Sequence, residues 1–298
     1  MKRRDFLQTG IAAGVTALAA GACARPQASS AAQAAAGSAA QAQGALKQSV
    51  TRWPFGGMSV DELARGAKEI GLLSVELLEP EEWPIVQRHG LTCAMGYAPV
   101  PNPGNRLSEG WNELENHAWL IPAYQRAIPM AAQANIPSLI CFSGNRDGLS
   151  DQQGLENCAV GLRQIMPDAE RHGVTICMEL LNSKVDHPGY MCDHTAWGVA
   201  LAQRVGSERF KLLYDIYHLQ TMEGDVIRTI QNNHQYIAHY HTAGVPGRHE
   251  IDETQELYYP AIMRAIKETG FQGYIGQEFI PTRDPLASLA EAVRICNV

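Results

Sequence analysis

The sequence is 298 residues long, 45% hydrophobic and 18% charged, with a formal net charge of −7. Its length supports a substantial core, and its acidic balance argues against a nucleic-acid substrate, because phosphate backbones are bound through clustered Lys and Arg.

Lys2-Arg3-Arg4-Asp5-Phe6-Leu7, followed by the apolar stretch Ile11 to Ala22, has the layout of an export signal. The paired arginines ahead of Phe-Leu point to the twin-arginine route. The stretch is too short and too rich in Ala and Gly to remain in a bilayer as a spanning helix, so cleavage is expected near Ala20-Gly21-Ala22-Cys23. Cys23 is either the lipid-bearing first residue of a lipoprotein or simply the residue after an Ala-x-Ala-like cleavage site. Ala20 stands where a lipobox usually has Leu. Residues 1–25 are thus expected to be a signal peptide and 26–45, rich in Ala, Gln and Ser, a flexible spacer. The expected location is the periplasm or cell envelope, with membrane attachment only through lipid on Cys23.

Residues 46–298, about 250 in number, fit one (β/α)₈ TIM barrel. Short apolar runs alternate with amphipathic segments, the pattern of a parallel sheet with crossover helices. Strands are expected at Gln48 to Arg52, Leu73 to Leu78, Leu91 to Met95, Ser138 to Phe142, Val174 to Glu179, Phe210 to Asp215, Tyr236 to His241 and Gly273 to Glu278. Eight strands favour closure. Ser59-Val-Asp-Glu62 and Ser150-Asp-Gln-Gln153 have capping-box spacing at helix starts, and Gly71, Gly90, Gly173, Gly206 and Gly270 fall where helices should stop. Pro122 and Pro129 are expected to interrupt the helix before the fourth strand, and Pro167 to kink the next. Tyr97 to Gly110, rich in Pro, Gly and Asn, reads as a long loop at the catalytic end. The six cysteines after Cys23 contain no pair at the two-residue spacing of a zinc or redox motif.

Glu179, Asp215, His241 and Glu278 each close one of four successive expected strands. Three carboxylates and an imidazole at the mouth of a barrel form a mostly oxygen donor set. It suits Mn²⁺, Mg²⁺ or Co²⁺ and is compatible with Zn²⁺. His218, three residues after Asp215, is placed to hydrogen-bond a substrate oxygen beside the ion. His239 shares its strand face with His241 but lies deeper, as support or core. Arg248, in the turn after the seventh strand, either grips a substrate carboxylate or hydroxyl pair or pairs with Glu250 at the surface. Asn182 and the segment Ser143 to Gly148 are pocket candidates by position.

The runs Met178-Glu179-Leu-Leu-Asn182, Tyr214-Asp215-Ile-Tyr-His218, His239-Tyr-His241-Thr-Ala-Gly-Val-Pro-Gly-Arg248-His-Glu250 and Gly276-Gln-Glu278-Phe-Ile-Pro281 resemble the hydroxypyruvate isomerase family. That family lies within the xylose-isomerase-like TIM barrels that include the ketose 3-epimerases, and the resemblance covers the whole domain after the spacer. It implies that Glu179, Asp215, His241 and Glu278 bind a divalent metal, and that Glu179 and Glu278 also flank the reacting carbon as a proton-transfer pair. His218 and Arg248 would then orient substrate oxygens, and Glu250 and Asn182 are further substrate-binding candidates. One departure is at His241, where hydroxypyruvate isomerases usually have glutamine and the epimerase branch has histidine.

The implied activity is isomerisation or epimerisation of a small hydroxy-carbonyl compound, a sugar, keto-sugar or keto acid, through an enediolate. Two other readings use the same residues: a lyase acting on a 3-keto-glycoside, and a non-catalytic carbohydrate-binding barrel. Two glutamates flanking one carbon speak against the last, because binding alone needs no acid/base pair.

Overall fold

The structure is a computed structural model that describes residues 45–298. The expected signal peptide and Cys23 lie outside the described residues, as does the spacer apart from Ala45. Among the described residues no helix is long and apolar enough to cross a membrane.

Seven parallel strands form one curled sheet: β1 (Lys47–Thr51), β2 (Ser74–Glu76), β3 (Ser138–Cys141), β4 (Thr175–Glu179), β5 (Phe210–Asp215), β6 (Ile237–Thr242) and β7 (Tyr274–Gln277). Their order is β2-β1-β7-β6-β5-β4-β3, so chain neighbours are sheet neighbours except β2 and β3, which stand at the two ends, while β7 pairs with β1. Helices α1 (Val60–Ile70), α2 (Trp83–Arg88), α3 (His117–Gln133), α4 (Asp151–His172), α5 (Thr195–Val205), α6 (Ile216–Met222), α7 (Val226–Asn233), α8 (Tyr259–Glu268) and α9 (Pro285–Cys296) connect the strands. With helices covering the outside, the strands are buried on both faces, which is why they read as apolar runs rather than as alternation. The fold is a TIM-type α/β barrel.

The third expected strand, Leu91 to Met95, is not a regular strand. The chain there makes only single parallel bridges, Ser74 to Thr92, Leu78 to Gly96 and Gly96 to Leu139. Those bridges still close the circle between β2 and β3. Leu77 adopts φ +57°, which ends β2 immediately after Glu76, and a Cβ at Gly96 would lie 2.9 Å from the Trp83 ring. The segment is thus pinned under α2 as an irregular eighth stave.

α1 has the expected amphipathic pattern, burying Val60, Leu63, Ala64 and Ala67. Its Ser59–Glu62 capping box is complete, and Gly71 closes it at φ +98°. At Ser150 only the hydroxyl half forms; the Gln153 amide donates to Asn157 instead. Pro122 and Pro129 do not interrupt α3, which is continuous, and Pro167 lies within an equally continuous α4. Each proline deprives the carbonyl four residues earlier of its partner. Those carbonyls belong to Ala118, Gln125 and Arg163, all exposed, so water can take the lost bond.

Candidate active site

β4, β5, β6 and β7 deliver Glu179, Asp215, His241 and Glu278 to the C-terminal mouth of the barrel. One ligand-type atom from each lies within 4.8 Å of the others, and all four residues are buried. Register explains the convergence. A bulge between β5 and β6, with Leu212 opposite Ile237 but Leu213 opposite His239, brings Asp215 directly opposite His241. His241 then stands opposite Gly276, and Glu278 continues the ladder by donating its N–H to the Thr242 carbonyl at 2.9 Å.

Asp215 caps α6. Its Oδ1 accepts from the N–H groups of Tyr217 (2.8 Å) and His218 (3.3 Å), leaving Oδ2 to face the cluster. The Arg248 guanidinium donates to Asp215 Oδ2 at 2.9 Å and to Glu278 Oε2 at 2.5 Å. It is held between the rings of Trp53 and Tyr217, 5.4 and 5.0 Å from their centroids. The Gly244–His249 turn supplies this placement: Gly244 N–H donates to the His249 carbonyl, and Arg248 sits at φ +60°. A side chain at Gly244 would collide with the Glu250 carbonyl at 2.3 Å, so only glycine fits there.

Glu278 Oε1 also accepts from Trp53 Nε1 at 2.7 Å. His218 touches Arg248 through Nε2, while its Nδ1 lies 2.7 Å from Asn182 Nδ2. The Asn182 orientation is set by two backbone N–H groups, of Val185 and Asp186, on its Oδ1. Asn182 therefore donates to Nδ1, and the donor-only Arg248 guanidinium faces Nε2, so His218 meets a donor on each side.

Glu250 does not join these residues. Its carboxylate accepts from Thr282 N and Oγ1, Arg283 N and Ser288 Oγ, so it ties the loop between β7 and α9 rather than facing the mouth. The surface ion pair between Arg248 and Glu250 does not form. Of Ser143 to Gly148, Asn145 and Arg146 instead bind the β4–α5 loop, Arg146 pairing with Asp193 at 3.1 Å.

Burial, reinforced by Glu278, raises Glu179, and it raises Asp215 to about 7 despite the opposing charges of Arg248 and His241. Burial also opposes ionisation of Glu278, but His241 and Arg248 outweigh it and hold Glu278 far below the usual carboxylate range. Burial, then Arg248, push His218 well down, so it is neutral. Burial disfavours the charged form of His241 as well, yet Glu278, Glu179 and Glu76 raise it well above an ordinary histidine.

The site is compatible with a divalent cation. His241 Nδ1 is 2.7 Å from Glu278 and 3.3 Å from Glu179, yet makes no well-directed hydrogen bond to either. A buried nitrogen surrounded by three carboxylates and lacking a directed partner is what a shared cation would satisfy, and one imidazole nitrogen with three carboxylates is a donor set that suits first-row or alkaline-earth divalent ions.

Glu76 and Trp53 escape a sequence-based reading. Glu76 sits within the apolar run Leu73 to Leu78, and Trp53 looks like core beside Phe55, although it is half-exposed over the mouth. The signal that marks both is position: each stands at or just beyond the C-terminal end of a strand.

Residues 48–296 match the family described as xylose isomerase-like TIM barrel, and the chain belongs to that family. A Cupriavidus necator protein named 2-oxo-tetronate isomerase is 37% identical over 121 residues, spanning 41% of this chain and 46% of that protein. A Drosophila melanogaster protein named "Putative hydroxypyruvate isomerase" is 36% identical over 75% of this chain and 86% of its own. Among solved structures, an AP endonuclease, family 2, from Brucella melitensis superposes with TM-score 0.71 at 25% identity, covering 83% of this chain and 98% of the other. An E. coli 3-keto-D-glucoside 4-epimerase gives TM-score 0.69 at 17% identity over 84% and 100%, a likeness of fold alone. The family and the isomerase relatives together make this chain an isomerase.

Proposed function

We propose that the protein is a metal-dependent isomerase or epimerase of small hydroxy-carbonyl compounds, sugars or keto acids. The convergence of Glu179, Asp215, His241 and Glu278 within 4.8 Å at the barrel mouth carries this reading. A divalent ion held by those four residues supplies, when bound, polarisation of the substrate's carbonyl and neighbouring hydroxyl oxygens, which acidifies the C–H beside them.

Glu278, kept ionised by Arg248 and His241, takes that proton and leaves an enediolate. Glu179 stands on the other side as the second proton-transfer group. Return of the proton to the adjacent carbon, with the hydroxyl proton passing from one oxygen to the other, gives the isomer; delivery by the second glutamate to the opposite face gives the epimer. His218 and Arg248 orient substrate oxygens, and Trp53 and Tyr217 hold the guanidinium in place.

The acidic charge and the isomerase relatives favour a small molecule over nucleic acid. The Lys2 to Leu7 motif supports export, which cell fractionation tests: accumulation of the wild-type protein in the cytoplasmic fraction refutes it.

The functional test is incubation of metal-loaded protein in deuterated water with ketoses and 2-keto acids. Deuterium is expected at the carbon beside the carbonyl, and Glu278→Gln is expected to lose this exchange. Release of an aglycone from a 3-keto-glycoside without any isomer would mean a lyase instead. Binding without exchange would leave only a carbohydrate-binding barrel.

A further inference from the structure

Behind His241 lies a second, wholly buried group: Glu76 at the end of β2 and His239 on β6. Glu76 Oε1 is 2.9 Å from His241 Nε2 and 2.7 Å from His239 Nε2. An ionised carboxylate only accepts, so both imidazoles present an N–H at Nε2. For His241, that puts a proton on the nitrogen facing away from Glu179, Asp215 and Glu278 and leaves Nδ1 to face them. The two rings stand edge to face, 5.2 Å apart at 88°, so His239 keeps the shared carboxylate from turning away.

β2 and β6 are not neighbours; β1 and β7 lie between them in the sheet. Glu76 therefore crosses the barrel interior, and Gly276 on β7 makes the passage. A Cβ at Gly276 would lie 2.5 Å from Glu76 Oε1 and 2.8 Å from His241 Cδ2.

We propose that Glu76, steadied by His239 and admitted by Gly276, is a positioning residue that fixes the ring and tautomer of His241 so that Nδ1 is the ligand atom for the metal. This rests on the metal-dependent reading of the site. A carboxylate behind a ligating histidine commonly changes metal affinity by about 10- to 100-fold. Glu76, His239 and His241 also have the composition of a small metal set, with potential ligand atoms within 4.8 Å of one another. The hydrogen-bond separations around the single oxygen Oε1 account for that proximity without a second ion.

Chelator-stripped full-length protein is titrated with Mn²⁺ or Co²⁺ in a calorimeter, for wild type, Glu76→Gln and Gly276→Ala. The expected result is one ion per chain, with affinity weakened about 10- to 100-fold in both variants. In Glu76→Gln, the amide oxygen can take the place of Oε1 but brings no negative charge, so its hold on the two Nε2–H groups weakens. Zinc-loaded wild type with ¹⁵N-labelled histidine supplies a measurement that needs no variant to fold: His241 should show its proton on Nε2. Variant affinities within twofold of wild type, a His241 proton on Nδ1, or two ions per wild-type chain falling to one in Glu76→Gln would each overturn the proposal. A wild-type protein that takes up no ion would instead remove the metal reading itself.

Discussion

Arg248 and Glu250 are two residues apart on one turn, yet their side chains diverge. Arg248 turns inward to Asp215 and Glu278, while Glu250 turns back to four donors on Thr282, Arg283 and Ser288. Burial alone would raise the Glu250 pKa, but those hydrogen bonds, led by the Thr282 N–H, lower it to about 2. A carboxyl lowered on folding contributes stability above its unfolded pKa and loses that contribution as pH falls toward the folded one. Glu250→Gln should therefore be less stable than wild type by about 1–3 kcal/mol near neutral pH, and the gap should close between about pH 4.5 and pH 2. Urea denaturation at several pH values measures it; a gap of constant size would show that the charge of Glu250 contributes nothing. Sequence made the four cluster residues legible because each ends an apolar run. It could not reveal that Glu250 faces away, because the direction of a side chain in a turn depends on where its donors fold. Glu76 was hidden for a different reason: Leu77 and Leu78 continue the apolar run past it, although the backbone leaves the sheet at Leu77.

At the scale of elements, the parallel strands and glycine-ended helices follow from periodicity and from the left-handed conformation that Gly71, Gly173 and Gly206 adopt. The irregular stave at 91–96 and the unbroken α3 do not, because both depend on tertiary neighbours. Leu91, Cys93 and Met95 look like a strand by composition, but pinning of Gly96 against Trp83 limits pairing to single bridges. α3 survives two prolines because its buried face, Leu120, Tyr124, Ala127, Ile128 and Ala131, packs against the barrel, and its broken hydrogen bonds face water. The Tyr124 hydroxyl adds a bond to the Ile140 carbonyl of β3 at 2.6 Å. Packing thus overrides a helix-interior proline cost of about 3 kcal/mol, which remains a latent instability. Pro129→Ala restores the N–H but loosens the unfolded chain by up to about 1 kcal/mol, so a net gain of about 1–2 kcal/mol is expected in chemical denaturation. A loss of stability would mean that the ring of Pro129 packs more favourably than its missing bond costs.

At the scale of the molecule, the barrel concentrates Glu179, Asp215 and Glu278 in a buried mouth where Arg248 and His241 oppose them, which couples folding to pH and, on the proposed metal-dependent reading, to metal as well. Asp215 is raised from its ordinary 3.8 to about 7, chiefly by burial. A carboxyl raised on folding contributes stability below its unfolded pKa and loses it as pH climbs through the folded one. In metal-free protein, the Asp215 contribution therefore declines between about pH 4 and pH 7. A metal requires the deprotonated ligands, so it competes with those protons and binds more tightly over the same interval. At a free concentration of about 100 times Kd, binding adds about 2.7 kcal/mol, which in a domain of this size raises Tm by about 5–10 °C. Thermal melts with Mn²⁺ and with chelator should show a shift of that size near pH 7.5 and little shift near pH 5. His218 is neutral in the folded protein and is not among the ligands, so the difference between the two melts isolates the ligand cluster. An equal shift at both pH values would mean that the ion binds exposed surface carboxylates, which are already ionised at pH 5. The mouth would then hold its acids through Arg248 and His241 alone.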